Sequence, residues 1–306
     1  MSTPDLFRIK DLRLGQVTDS VGKTGCTVLL FPAGAVASVD VRGSAPGTRE
    51  TDLLRPENLV EQVHAIVLSG GSAFGLASMD GVGRYLEEQE IGFRTGEAIV
   101  PIVTGAVLYD LAVGDAQARP DAAMGYAAAE GANRKIVEEG AVGAGTGASV
   151  GKLRGMEFAS PGGLGVFALV FENGIVVSAV VAVNALGNIL DGTEIVAGIR
   201  HAGGDGFIDA RHLLLSGHRR DVFERTNTTI GAIVTNATLT KAQCLKIAQM
   251  THDAYARRID PAHTLFDGDA IFVAATGEVD APVDLMFLGT AACEAMETAI
   301  LRAVRT

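Results

Sequence analysis

The chain has 306 residues, 48% of them hydrophobic, and carries a formal net charge of −11 with an isoelectric point near 5.0. This acidity argues against nucleic acid as a partner, because nucleic acid binds to basic protein surfaces. No run of about 18 apolar residues is present, so the sequence predicts no membrane-spanning helix. The length allows one large domain or two modest ones, with a sizeable core in either case.

Short apolar runs rich in Val and Ile, bounded by Gly, Pro or Asn, predict buried strands. In chain order they cover residues 27–31, 36–41, 65–68, 100–103, 166–171 and 175–183, the last two as a hairpin. Apolar residues at helical spacing predict helices over 72–88 and 241–258. A further helix is predicted over 56–65, after an acidic start, and a last one over 291–304. Helices and strands do not alternate strictly, which favours an α+β layered sandwich over a doubly wound parallel sheet.

Three cysteines are scattered along the chain without a CxxC pair (Cys26, Cys244, Cys293). Such a sparse, odd set is typical of reduced thiols in a reducing compartment. The first fifteen residues mix charged and apolar side chains and do not match a signal peptide. We therefore expect a cytoplasmic protein.

The dipeptide Asn227-Thr228 stands at the start of an apolar run, after a polar segment over 201–225 that predicts a loop or linker. A cut between the two residues would give Thr228 a free α-amine beside its hydroxyl. A free α-amine has a pKa of roughly 7.7–8.0 and is a recognised base for an N-terminal Thr nucleophile. The alternative interpretation is an ordinary turn that enters a strand.

Two carboxylates one residue apart, Asp267 and Asp269, follow His263 and Thr264 and precede another apolar run. They are suited to orienting a nucleophile and holding its protons. The alternatives are an Asp-Gly turn between strands, and a metal site with His263 that lacks a recognisable ligand spacing.

Two glycine-rich loops, at 68–75 and 143–148, could pack closely or form a pocket of backbone N–H groups for an anion. Neither matches a nucleotide-binding motif. The polar loop 42–54 holds two arginines and two acids, which predicts a structural network of ion pairs near a site. Tyr109, Lys152 and Asn184 each follow an apolar segment, and each alone is typical of a satisfied structural polar group.

Together these segments, nearly the whole chain in order, resemble the P1 family of self-processing N-terminal-nucleophile amidohydrolases. This family includes the L-aminopeptidase/D-esterases, the β-peptidyl aminopeptidases and the nylon-oligomer hydrolases. The resemblance implies a four-layer α/β/β/α sandwich over 1–306, cut into a large fragment 1–227 and a small fragment 228–306 that remain associated. Thr at the cut, with Asp267 and Asp269, is similar to the nylon-oligomer hydrolase branch; the aminopeptidase branch typically has Ser at the cut.

The resemblance also implies roles for individual residues. Thr228 is the nucleophile for self-cleavage and for substrate hydrolysis through an acyl-enzyme, and Asn184 is an oxyanion donor. Lys152 is an electrostatic and positioning group, and Tyr109 contacts the substrate. The base is either the Thr228 amine or Asp269 oriented by Asp267, and one acid of the pair is expected to hold a raised pKa.

No metal and no cofactor is expected. The expected substrate is a small peptide or amide oligomer, and the expected assembly is a homo-oligomer, a tetramer of cut units. Two alternatives stay open: an acyltransferase of the ornithine acetyltransferase type on the same fold, and a binding protein without catalytic activity.

Overall fold

The computed structural model describes residues 5–203, 205–217, 227–279 and 284–305. One large sheet is built from nine strands: β1 (Arg13–Asp19), β2 (Thr24–Val41), β3 (Thr48–Arg49), β4 (Gln62–Ser69), β5 (Val103–Val107), β6 (Gly163–Val170), β7 (Val176–Asn184), β8 (Thr228–Ala237) and β9 (Ala270–Val279). Five α-helices accompany it: α1 (Ser78–Glu88), α2 (Ala122–Glu130), α3 (Ala210–Leu215), α4 (Lys241–Arg258) and α5 (Leu285–Arg305).

Short elements complete the described part of the chain. The 3-10 helices are Asp5–Arg8, Ser72–Ala77, Gly143–Gly145 and Met156–Phe158. The minor strands are Phe93–Arg94, Ile99–Val100, Ser149–Val150, Ser160–Pro161, Asn188–Asp191, Glu194–Ala197, Ile199–Arg200, Phe207–Ile208 and Ile259–Asp260.

Hydrogen bonding follows the order β6-β7-β8-β9-β2-β4-β5-β3, with β1 also paired to β2. The pairs β8–β9 and β4–β5 are parallel, and the other neighbours are antiparallel. Strand β2 is long enough to pair with β1 and β4 near its start and with β9 near its end. Its register shifts between Leu30 and Ala35, around Pro32 and a positive-φ Gly34. A bulge of this kind bends a strand, so β2 connects two layers of one continuous sheet.

Three buried clusters separate four layers. The first fills the space between α4/α5 and one face of β7, β8 and β9, and includes Val181, Ile233 and Val273. The second lies between the two halves of the sheet and uses the opposite faces of the same strands, as at Val180 and Phe272. The third lies between β2/β4 and helices α1/α2. Successive residues of a strand point to opposite faces, so fully apolar strands supply two cores at once. The predicted four-layer α/β/β/α sandwich is confirmed.

Several predicted elements are confirmed. Helix α4 has the predicted bounds and begins with a capping box between Thr240 and Gln243, which satisfies two free N–H groups of the first turn. The hairpin over 166–183 is present as β6 and β7. Helix α5 starts earlier than predicted, at Leu285. The stretch 72–88 divides into a 3-10 segment and α1.

Other predictions are wrong. Residues 56–65 form turns and the first half of β4, because the end of this segment pairs with β2 and β5 in the sheet. The run 100–103 is split between a minor strand and the start of β5. The segment 201–225 contains a minor strand and α3, and its residues 204 and 218–225 lie outside the described part. Among the helices of the described residues, none combines the length and apolar character that a membrane span requires.

Candidate active site

The start of β8 is the point where the predicted residues converge. Strand β8 runs parallel to β9, and the pairing continues backward from Ile230–Ala270 to a bridge between Asn227 and Asp267. Parallel strands begin at the same edge of a sheet, so the dipeptide and the two acids meet there. On the other side, Thr228 lies directly opposite Asn184, the last residue of β7. Directly opposed residues project from the same face of a sheet.

The peptide bond between Asn227 and Thr228 is buried and closely surrounded. The Thr228 hydroxyl is in very close contact with the carbonyl oxygen of Asn227. The same carbonyl accepts a hydrogen bond from the backbone N–H of Gly268 at 3.1 Å. An ideal Cβ on Gly268 would stand only 2.9 Å from the Thr228 Oγ. A hydroxyl therefore lies against a carbonyl that a backbone donor polarises.

The Asn227 side chain is in an unusual environment. It is 2% exposed, and among the residues that the structure describes neither its Oδ1 nor its Nδ2 has a hydrogen-bond partner. A buried polar group without a partner costs about 1–3 kcal/mol. The free-energy cost therefore arises at Asn227, the residue that precedes Thr228.

Asp267 is buried and accepts hydrogen bonds from Thr264 and from the backbone of Leu186. Its Oδ2 accepts from the Thr264 N–H at 3.0 Å and from the Thr264 hydroxyl at 2.5 Å. Its Oδ1 lies 3.4 Å from the Leu186 N–H. Burial, followed by the nearby charge of Asp269, raises the pKa of Asp267 to about 6, although the Thr264 bonds oppose the rise. The expected raised pKa within the pair thus belongs to Asp267.

Asp269 bridges the strand and the loop before β9. Its Oδ1 accepts a hydrogen bond from the Thr229 N–H at 2.8 Å. Its Oδ2 accepts from the backbone N–H of His263 at 3.1 Å and lies 2.8 Å from the His263 ring Nδ1. The carboxylate is therefore fixed beside the backbone of Thr228.

Asn184, Lys152 and Tyr109 form a connected group on the β7 side of the site. The Lys152 Nζ donates to Asn184 twice, to Oδ1 at 2.6 Å and to the backbone oxygen at 3.0 Å. The Asn184 amide donates to the Tyr109 carbonyl at 2.9 Å, and its Oδ1 accepts from the Ser149 N–H. Lys152 and Asn184 are fully buried, whereas Tyr109 is partly exposed. The contact of Tyr109 with this group is through its backbone.

The glycine-rich loops do not provide an open pocket of N–H groups. The Gly71 N–H donates to the Asp110 carboxylate at 2.7 Å, and the N–H groups of Gly143 and Ala144 donate to Thr18 and Thr27. These donors are used inside the protein. The predicted close packing of the backbone is correct, and the predicted anion pocket at these N–H groups is wrong.

The loop 42–54 forms separate ion pairs instead of one network. Arg42 pairs with Asp40 at 2.8 Å and Arg49 with Asp80 at 2.5 Å, both at the surface. Exposed pairs of this kind contribute little to stability. The loop supports the site through its backbone: the N–H groups of Arg42 and Ala45 donate to the carbonyls of Asp269 and Asp267.

Three groups at or near the site were not singled out from the sequence. The Gly268 N–H is a backbone donor and leaves no signal in residue type. Asp110 is buried, binds Thr24 and Gly71, and feels the charge of Lys152; burial raises its pKa and these contacts oppose the rise. His263 was considered only as a metal ligand. Among the described residues, no three His, Cys, Asp or Glu side chains converge as metal ligands.

The site combines a buried threonine hydroxyl against a carbonyl, two acids and a buried lysine–asparagine pair. This arrangement is suited to attack on an amide carbonyl. The class is established by comparison: the model of peptidase family S58 matches residues 6–306, so the chain belongs to this family. It is a hydrolase that acts on amide bonds, and the family membership favours this function over the acyltransferase alternative.

Two curated relatives illustrate the family. The chain is 42% identical over 273 residues to a Mycobacterium leprae protein named as an uncharacterized aminopeptidase, covering 84% of this chain and 72% of that protein. It is 32% identical over 320 residues to the 6-aminohexanoate-oligomer endohydrolase of Kocuria sp., covering 98% of this chain and 85% of that protein.

Solved structures agree with the fold. The β-aminopeptidase of a Burkholderia species matches with a TM-score of 0.68 at 21% identity, covering 99% of this chain and 87% of that one. The L-aminopeptidase D-Ala-esterase/amidase of Ochrobactrum anthropi, described as a variant of the Ntn-hydrolase fold, matches with a TM-score of 0.70 at 17% identity, covering 99% and 86%.

The raised pKa of Asp267 makes stability depend on pH. Because the folded-state pKa of about 6 exceeds the ordinary value of 3.8, its contribution is fully present below pH 3.8 and is lost as pH rises through about 6. We expect Asp267→Asn to remove a pH-dependent component on the order of 2–3 kcal/mol. Urea unfolding at pH 4, 5.5 and 7 measures this component for the proteins with Asp267 and with Asn at position 267. Both proteins also carry Thr228→Ala, so that each sample is one chain. Parallel stability curves for the two proteins would contradict the assignment.

Proposed function

We propose that this enzyme first cuts its own chain between Asn227 and Thr228 and then uses Thr228 as the nucleophile for amide hydrolysis. The observation that carries the proposal is the contact between the Thr228 hydroxyl and the Asn227 carbonyl oxygen, which also accepts the Gly268 N–H. These contacts support the proposal, because they put a hydroxyl, a carbonyl and a backbone donor together in one chain.

Self-cleavage begins with attack of the Thr228 Oγ on the Asn227 carbonyl carbon. The oxygen of the resulting tetrahedral centre is stabilised by the Gly268 N–H. The C–N bond then breaks, the Thr228 nitrogen takes up a proton, and an ester joins Asn227 to the Thr228 oxygen. Water hydrolyses this ester to the Asn227 carboxylate and a free Thr228 hydroxyl.

The base for this first reaction must be a side chain. In the uncut chain the Thr228 nitrogen belongs to a peptide bond and cannot accept the hydroxyl proton. Asp269, which is fixed beside Thr228 through the Thr229 N–H, is the base we propose for self-cleavage. After the cut, the free amine of Thr228, with a pKa of roughly 7.7–8.0, becomes a second base close to the hydroxyl.

The remaining predicted residues receive roles from their contacts. We propose that Lys152, bonded twice to Asn184, holds that amide at the nucleophile and supplies positive charge near the developing oxyanion. Asn184 already donates to the Tyr109 carbonyl, so Tyr109 fixes the orientation of the amide through its backbone. Its side chain remains our candidate for substrate contact.

The substrate class follows the relatives. An aminopeptidase and an oligomer endohydrolase are both relatives of this chain, and both names describe hydrolysis of amide bonds. We propose short peptides or linear amide oligomers as substrates, with attack at a carbonyl that takes the place of the Asn227 carbonyl.

We also propose a cytoplasmic location and a homo-oligomer, a tetramer of cut units. The three cysteines, all in the described part of the chain, are buried with free thiols, which suits a reducing compartment. Sedimentation of the purified enzyme measures the order of the assembly.

Thr228→Ala tests the cut. We expect wild-type protein to give fragments 1–227 and 228–306 on a denaturing gel, with Thr228 as the new N-terminus, and Thr228→Ala to remain one chain without activity. Thr229→Val is the matched control, because the Thr229 hydroxyl is buried and has no partner among the described residues. The variant keeps the hydrogen bond from the backbone N–H of residue 229 to Asp269. We therefore expect the variant chain to be cut before Thr228, as in the wild type. Active wild-type protein that remains uncut would refute the proposal.

Gly268→Ala tests the oxyanion donor. The added Cβ would lie 2.9 Å from the Thr228 Oγ and 2.6 Å from the Ala45 carbonyl oxygen, so the Gly268 N–H must shift away from Asn227. Loss of one oxyanion donor typically slows a reaction by about 10²–10³-fold, and we expect self-cleavage to slow to this extent. Gly96→Ala, at a surface glycine with open space around it, should be cut at the wild-type rate. Unchanged cleavage of Gly268→Ala would rule out this donor.

A substrate panel separates hydrolysis from acyl transfer. The cut enzyme is incubated with aminoacyl anilides, with short peptides and with 6-aminohexanoate oligomers, and separately with N-acetylornithine plus an acceptor amine. We expect water to be the acceptor, giving free carboxylic acids by mass spectrometry. Product lengths distinguish removal of a terminal residue from internal cleavage. Acetyl transfer to the amine without amide hydrolysis would support the acyltransferase alternative.

A further inference from the structure

A cluster of three aromatic rings lies behind Asp269, on the side away from Asn184. His252 and Tyr255 come from α4, and His263 comes from the loop before β9. The ring centroids are 4.8 Å apart for His252–His263, 5.4 Å for His252–Tyr255 and 5.9 Å for Tyr255–His263. His252 and Tyr255 are fully buried. We refer to these three residues as the ring cluster.

Each ring carries a buried polar atom whose partner is missing. Within the described part of the chain, the His252 Nδ1, the Tyr255 hydroxyl and the His263 Nε2 have no hydrogen-bond partner. Such groups are rare in native proteins, and each requires an explanation. Packing alone does not explain them, because apolar rings of the same shape would fill the space without this cost.

Only His263 of the three rings contacts the proposed catalytic residues. Its Nδ1 lies 2.8 Å from the Asp269 Oδ2, and its backbone N–H donates to the same oxygen at 3.1 Å. Its backbone has φ +53°, a left-handed conformation that is uncommon for a residue other than glycine. Strained backbone of this kind persists where the surrounding structure over-determines it, often at functional sites.

The two oxygens of Asp269 are therefore held by different elements. Oδ1 is bonded to the Thr229 N–H of β8, and Oδ2 is held twice by His263. Loss of the His263 ring would leave Oδ2 with one backbone donor and allow the carboxylate to rotate.

We propose that His263 is a positioning residue, which orients Asp269 toward Thr228 through its Nδ1. The ring holds one carboxylate oxygen and β8 holds the other, so removal of the ring nitrogen releases one side of Asp269. This inference rests on the proposed function, in which Asp269 is the base for self-cleavage.

Charged and titratable groups surround the His263 ring. Asp269 contacts it from its own loop, and His252 and Tyr255 pack against it from α4. Beyond His252 lie Asp40 and Arg42, which form an ion pair with each other. Burial lowers the pKa of His252 to about 4, so His252 is neutral at neutral pH.

Two substitutions separate the functions of the ring. His263→Asn keeps an N–H donor near the Nδ1 position, tolerates a positive φ, and does not titrate. His263→Leu fills the space without a donor. His201→Leu, at an exposed histidine, is the matched control.

The experiment follows self-cleavage of newly translated chains in a cell-free system between pH 5 and pH 9. We expect His263→Leu to slow cleavage by about 10- to 100-fold, the effect of losing one hydrogen bond to a charged group. His263→Asn, which keeps a donor to Asp269, should recover most of the rate at neutral pH. His201→Leu should match wild type in rate and profile.

The outcomes separate this inference from the proposed function. If wild type is cut and His263→Leu is cut at the same rate with the same pH profile, the positioning role is refuted and the proposed function stands. If His263→Leu does not fold, His263→Asn decides, because a folded His263→Asn protein that is cut about 10- to 100-fold more slowly would refute the role of the ring as a donor to Asp269. If wild-type protein is active but never cut, the proposed function itself fails.

Discussion

Parallel pairing between β8 and β9 is the constraint on which this site depends. It places the start of one strand beside the start of the other, so that residues 227–229 lie next to residues 267–269 although they are far apart in sequence. Two hydrogen bonds cross between the strands here: the Gly268 N–H donates to the Asn227 carbonyl, and the Thr229 N–H donates to the Asp269 carboxylate. A shift of one residue between the strands would break both of them. The first two cores, one on each face of β8 and β9, fix this register, because such a shift would exchange the side chains that pack into them.

The sequence was informative where chemistry depends on side-chain type and strong periodicity. Helix α4 has a capping box and a clear apolar pattern, and its bounds were predicted correctly. The nucleophile candidate and the two acids were recognisable because hydroxyl and carboxyl groups stand at the ends of apolar runs. The four-layer arrangement came from resemblance to a family, since nothing in the individual strands reveals that β2 connects two layers.

The errors have physical causes. The segment 56–65 does not form the predicted helix, because pairing of its end with strands on both sides determines its conformation, and that pairing is a tertiary effect. The Gly268 donor belongs to the backbone and is independent of residue type. The ring cluster joins α4 to the loop before β9, so only the folded chain reveals that His263 contacts Asp269.

The position of β8 in the middle of the sheet has a consequence for the life of the enzyme. Strand β8 pairs with β7 on one side, and β9 pairs with β2 on the other, so the part of the chain after Asn227 is inserted between two strands of the part before it. Before a cut, folding is a unimolecular event that closes these pairings within one chain. After it, recovery from unfolding would require two chains to meet, and its rate would fall with dilution. Maturation would thus convert a protein that can refold alone into one whose lifetime depends on how slowly it unfolds.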